Sequence, residues 1–258
     1  MVSKVNGIVI KEFDAGENGK RVIVLTREHG KMSLFIRGAK TSKKGMQAVQ
    51  LFSCCEFTIF EGRGFYSVTN VYVIESFYGI RNDFKCLTYA SFILEVTERV
   101  SFEELDGDRI FELLFRTLSV LAGGKSKPRL VSVVFILRLL KEYGFMGGVS
   151  CCPSCGAEIE EGFYTVWADG IYCAKCASEG AKKLDRGAVR ALRHITESSM
   201  KKIFAFDVSD AVLEELWKLA MAYRKEYLGE KYNTLGYIES MNFCSPAYKN
   251  VDNGRLIC

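Results

Sequence analysis

The chain has 258 residues, 48% hydrophobic and 26% charged, with a formal net charge of +4. That balance belongs to a folded globular protein and excludes intrinsic disorder. The longest nearly apolar stretch, Leu130 to Leu137, is about half of a bilayer span. Lys4, Lys11, Glu12 and Asp14 break up the N-terminus, so no signal peptide is read there and a cytoplasmic location is expected.

Up to residue 80 the chain reads as short strands. Val5 to Ile10, Arg21 to Thr26, Met32 to Ile36, Glu56 to Phe60 and Phe65 to Val73 are rich in β-branched and apolar residues. Asp14 to Gly19, Glu28 to Gly30 and Glu61-Gly62-Arg63-Gly64 supply the turns. So many strands in so short a segment imply a closed structure, because an open sheet would leave edges exposed. An OB-type β-barrel fits, and an SH3-like barrel fits almost as well on pattern. Beyond Asn82 the period becomes helical over Phe84 to Val100, Asp108 to Leu121 and Arg129 to Tyr143, with Gly123-Gly124 and Gly144 as stops. Asp185 to Ser198 and Val208 to Leu228 return to that period, with Ser209 as an N-cap. The expected fold is α+β and multidomain: a barrel over residues 1–80, an α-helical bundle over 81–258, and a cysteine module inserted at 150–178.

Ten cysteines without an export signal point to reduced thiols rather than disulfides. Cys152-Pro153-Ser154-Cys155, seventeen residues, then Cys173-Ala174-Lys175-Cys176 has the spacing of a four-thiolate metal site. Each CxxC turn aims two sulfurs at one centre, and the chain between must fold back to unite the pairs. Phe163 to Val166 and Ile171-Tyr172 are the predicted strands of that return, with Asp169-Gly170 as their hairpin turn. This is a zinc-ribbon pattern, with Cys152, Cys155, Cys173 and Cys176 as ligands of one Zn2+. Four protein ligands leave no open position, which makes the metal structural. Iron–sulfur chemistry uses the same ligand type, and Cys151 is an alternative first ligand at a less usual spacing. Cys54, Cys55, Cys86, Cys244 and Cys258 show no pairing logic and are expected as free or core thiols.

The only histidines are His29 and His194, which leaves little room for Ser–His or Cys–His catalysis. No enzymatic activity is expected. Gly124-Lys125-Ser126 imitates the end of a phosphate-binding loop, but Ser119 stands where its first glycine is required and a helix precedes it. Glu103, Glu104, Asp106 and Asp108 form an acidic group without a partnering histidine, a poor nuclease centre.

Charge is unevenly spread. The first 80 residues hold eleven Lys and Arg against seven Asp and Glu, and the rest of the chain sums to zero. Between Glu28 and Glu56 stand Lys31, Arg37, Lys40, Lys43 and Lys44 with no acid. Such a segment beside a small barrel suits a polyanion, with phosphates on the cations and Phe35, Phe57, Phe60, Phe65 or Tyr66 available to stack bases. The alternative places those rings in the barrel core. Arg186, Arg190 and Arg193 share one helix face just after the cysteine module and form a second candidate DNA contact.

Arg21-Val-Ile-Val-Leu25-Thr26-Arg-Glu-His-Gly30-Lys31, followed by Gly38-Ala39-Lys40 and the two cysteine pairs, resembles the bacterial RecO family of recombination mediators. The resemblance runs through the whole chain in order, loosely from Tyr227 on, where Asn233-Thr234 replaces a basic-serine pattern. It implies an OB-fold, a helical bundle and an inserted zinc module. It also implies a nucleoid-associated protein that binds single- and double-stranded DNA and anneals complementary strands. Such proteins work with a RecR-like partner and help load recombinase onto DNA coated by single-strand-binding protein. The competing class is a zinc-ribbon adaptor of the transcription or translation machinery, with the barrel as scaffold.

Overall fold

The computed structural model describes residues 2–17, 19–37, 49–62, 64–102, 107–168 and 170–243. Strands β1 (Val2–Ala15), β2 (Gly19–Thr26), β3 (Lys31–Arg37), β4 (Cys54–Glu61) and β5 (Tyr66–Glu75) close into a barrel in the order β1-β2-β3-β5-β4. β3 and β5 are parallel, and every other neighbouring pair is antiparallel. Closing the third strand on the fifth in this way is the OB arrangement, and it decides between the two barrels that patterning alone left open. β1 extends well beyond the expected Val5 to Ile10 because it serves two neighbours. Val2 to Ile8 pair with β4 and Gly7 to Ala15 with β2, and a bulge between Val9 and Lys11 bends the strand from one to the other.

Alternation sorts the side chains. Val22, Val24, Leu34 and Ile36 fill the barrel with Val5, Val9, Phe57 and Val68. Arg21, Ser33, Phe35 and Arg37, cross-strand neighbours or two residues apart, take the outer face.

A 3-10 turn at Tyr78–Asn82 leads into α1 (Phe84–Val100), α2 (Asp108–Ala122) and α3 (Pro128–Glu142). Asp83 caps α1 by accepting from the Cys86 N–H at 3.0 Å. α3 is buried on nearly every side and packs on both preceding helices. Short strands β6 (Gly162–Tyr164) and β7 (Lys182–Leu184) flank the second half of the cysteine module, followed by α4 (Arg186–Glu197), α5 (Asp210–Tyr227) and α6 (Leu235–Phe243). Asp169 of the expected hairpin turn lies outside the described residues; among the described ones Phe163 and Tyr172 form an isolated bridge, exchanging backbone hydrogen bonds of 2.8 and 2.9 Å. β6 forms its ladder with β7 instead. No helix among the described residues is long and apolar enough to cross a membrane.

The helical core continues into the barrel wall. Ile8, Ile10, Leu25, Phe52 and Cys54 belong to it rather than to the barrel interior. Polar contacts reinforce the seam: Lys11 Nζ pairs with Glu98 at 2.7 Å, and Arg81 donates to the Leu51 carbonyl at 2.6 Å. Arg27 pairs with Asp108 and lies over the Phe111 ring, 4.5 Å from its centroid. Gly107 abuts β2 so closely that a Cβ would stand 2.4 Å from the Thr26 carbonyl oxygen. Phe77, at the turn from barrel to helices, has φ 48, a conformation costly for a bulky residue. Its ring is buried edge-on against Phe115 at 5.3 Å, and that burial offsets the strain.

Candidate metal centre and nucleic-acid interface

The four predicted ligands come together. Sγ atoms of Cys152, Cys155, Cys173 and Cys176 all lie within 4.8 Å of one another, and those of Cys155 and Cys173 are 3.7 Å apart. A tetrahedron with metal–sulfur bonds of about 2.3 Å has sulfur–sulfur edges of about 3.8 Å, so the cage has the size of a single ion. Tight turns build it. The Gly156 N–H donates to the Cys152 carbonyl at 2.9 Å, and the Ala177 N–H to the Cys173 carbonyl at 3.0 Å. Gly156 takes φ 73, which costs a glycine nothing. Hydrogen bonds from the backbone of Cys173, then Cys155 and Ser154, hold the Cys152 thiol down at about 6. At Cys176, against a lowering hydrogen bond with Ser154, the crowd of neighbouring sulfurs pushes the thiol the other way, up to about 11, so a bound cation is what would let all four sulfurs be thiolates together. These residues can therefore hold a metal ion. Cys151 is exposed and lies outside the cage.

The module is bolted to the helices on two sides. Tyr223 and Tyr227 of α5 donate their hydroxyls to the Thr165 and Val166 carbonyls at 3.3 and 2.5 Å. On α4, Arg186 pairs with Glu160 at 2.5 Å, while Arg193 donates to the Ile159 carbonyl at 2.9 Å and approaches Glu158 at 3.5 Å. Two of the three α4 arginines thus clamp the module. Arg190 is exposed and makes no ion pair with a described residue.

The predicted basic segment is only partly on view. Lys40, Lys43 and Lys44 lie outside the described residues. Lys31 and Arg37 line a groove of about 890 Å³ on the barrel together with Arg21, His29 and Phe35 of the β2–β3 side, Phe65 just before β5 and Tyr66 at its start. Glu61 is its one acid among the described residues. Lys31 is also tied to the helical part, since its Nζ donates to the Glu98 carbonyl at 3.1 Å. Of the rings considered for stacking, Phe57 is fully buried in the barrel, whereas Phe60 and Phe65 are exposed.

Sequence reasoning passed over Arg21 and Phe13. The signal was available: in Arg21-Val22-Ile23-Val24, alternation sends Arg21 to the face opposite the buried valines. Arg21 then pairs across strands with Phe13 on one side and Phe35 on the other.

Among the remaining thiols, burial first and the neighbouring Cys55 second push Cys54 up to about 12. Burial pushes Cys86 up to about 11. Both stay protonated at neutral pH and are poor nucleophiles.

Two family models match most of the chain: Recombination protein O N terminal over residues 1–77 and Recombination protein O C terminal over residues 81–236. A DNA repair protein RecO of Acetivibrio thermocellus is 36% identical, with 93% of this chain and 97% of that protein aligned. Proteins of the same name from Bacillus mycoides and Alkaliphilus metalliredigens are each 28% identical, over 94% and 91% of this chain and 98% of each relative. An OB barrel, a helical half built on its flank and a four-cysteine cage are thus found in a chain that belongs to the RecO family.

Proposed function

We propose that the protein is a non-enzymatic recombination mediator in DNA repair, which binds single- and double-stranded DNA and anneals complementary strands. In the same role it acts with a RecR-like partner at the nucleoid and helps load recombinase onto DNA coated with single-strand-binding protein. One observation carries the DNA-binding part: Arg21, Lys31 and Arg37 line a single groove with exposed or half-buried aromatic rings and one acid. Lys40, Lys43 and Lys44 follow Arg37 directly in sequence and extend the same positive segment. On α4, Arg190 is the free cation among the described members of the second patch, with Arg186 and Arg193 flanking it in their ion pairs. Neutralising the phosphates of two strands lowers their repulsion and raises their encounter rate, which is the physical basis of annealing on such a surface. The units proposed are a barrel over residues 1–80, a helical domain over 81–258 and the metal module over 150–178.

The ion we assign to Cys152, Cys155, Cys173 and Cys176 is one Zn2+. Bound there, it supplies a cross-link between the two cysteine turns, and the cage of protein sulfurs leaves no position for substrate.

The test is annealing of complementary oligonucleotides coated with single-strand-binding protein, with and without this chain. Acceleration that vanishes when Lys40, Lys43 and Lys44 become Ala is expected. With four or five phosphates engaged, log K for a single strand falls against log salt with a slope of roughly −3 to −4. No acceleration together with a flat slope would sink the proposal and favour a zinc-ribbon adaptor of protein partners.

A further inference from the structure

Phe13, Arg21 and Phe35 stand in one row across three strands, because Phe13 pairs with Arg21 between β1 and β2, and Arg21 with Phe35 between β2 and β3. Directly opposed residues share a face of the sheet, and here it is the outer face of the barrel. Neither phenylalanine joins either hydrophobic core, although alternate positions on the same strands do. The Arg21 guanidinium lies over the Phe13 ring, 4.7 Å from its centroid, and Lys11 Nζ approaches the same ring at 5.3 Å. Arg37 stands 6.0 Å from the Phe35 centroid. Arg21 is exposed and has no carboxylate partner among the described residues, unlike Arg27, Arg186 and Arg193.

A surface that only neutralised phosphates would need the cations and not the rings. A guanidinium spread over a ring is a flat charged plate, and unpaired bases stack on such plates and on aromatic faces. A duplex keeps its base faces inside its own stack and offers such a plate phosphates alone. We propose that the Phe13–Arg21–Phe35 row, in which Arg21 and Phe35 line the barrel groove and Phe13 stands beside it, is a base-stacking platform through which the barrel prefers single-stranded over duplex DNA, with Arg21 as the specificity-determining residue. The inference rests on the groove being a DNA site. A row this short holds one or two bases and leaves their neighbours free to pair, so it anchors a strand without blocking annealing.

The experiment uses the full chain and fluorescence anisotropy with three probes: an oligothymidylate, a duplex of the same length, and an abasic strand that keeps the phosphates and lacks the bases. Arg21→Lys keeps the charge and loses the plane. It is expected to weaken oligothymidylate binding about tenfold, while duplex and abasic-strand affinities and the salt slope stay as in the parent. Phe13→Leu and Phe35→Leu should act in the same selective way, with thermal melting confirming that each variant folds. Parent-like oligothymidylate binding by Arg21→Lys, with Arg21→Ala weakening all three probes equally, would overturn the platform and leave Arg21 as a phosphate contact. If the parent binds none of the probes, the DNA site itself falls, and the platform with it.

Discussion

Arg138 of α3 shows how one side chain can hold two helices in register. Its guanidinium donates to the Ile195, Thr196 and Ser198 carbonyls at 3.1, 3.0 and 2.9 Å, occupying acceptors at the C-terminus of α4 that the helix cannot satisfy itself. Glu142 balances the charge at 2.8 Å, and both side chains are largely buried. Replacement by an apolar residue strands those carbonyls and leaves the carboxylate only the more exposed Arg109, at 3.3 Å, so Arg138→Met is expected to cost about 3 kcal/mol, measured by denaturant unfolding. Cys155 is a different case, since its partner is the proposed ion. Cys155→Ser should lower metal content from one ion per chain to none and expose the module to limited proteolysis, while the barrel keeps its protection. Undiminished metal would show that the remaining sulfurs suffice and that Cys155 is dispensable.

At the scale of elements, α6 is held by a carboxylate from elsewhere in the chain. Glu95 of α1 accepts from the Asn233 and Thr234 N–H groups at 2.8 and 3.1 Å and from the Thr234 hydroxyl at 2.8 Å, serving as a cap supplied in trans to the helix start. Glu95→Ala should therefore raise amide exchange in α6 with little change in α1, at a cost of about 1–2 kcal/mol. Such a cap cannot be read locally, and α6 was absent from the sequence-based elements for that reason. Its Leu235-Gly236-Tyr237 start carries a glycine and no acidic first turn. Helices α1 to α5 were legible to within a few residues because each carries apolar residues at helical spacing between glycine or polar stops. The four clustered sulfurs were legible because their spacing is itself the geometry. Less visible were features fixed by tertiary partners: β7, which begins with two lysines and pairs with β6, and the use of Arg186 and Arg193 as clamps on glutamates that precede them by many residues. Alternation within β2 places Arg21 on the outer face, but its alignment with Phe13 and Phe35 has no signature along the chain, because the row runs across strands.

In the whole molecule, barrel and helices share apolar contacts that neither can bury alone. Ile8, Ile10, Leu25, Phe52 and Cys54 face the helical core from the barrel wall. Cutting the chain at the seam would return these groups to water, at about 25 cal/mol for each Å² of apolar surface exposed. The intact chain is accordingly expected to unfold in one transition, with barrel and helical probes coincident. Two separated transitions would show the seam to be energetically minor. At that seam, Gly107 leaves no room for even one carbon between the start of α2 and the edge of β2. A methyl group placed there would act as a shim, tilting the groove relative to the helices without altering a charge or a side chain that lines the groove. The angle between the barrel groove and the helices is thus recorded in the chain as a missing atom.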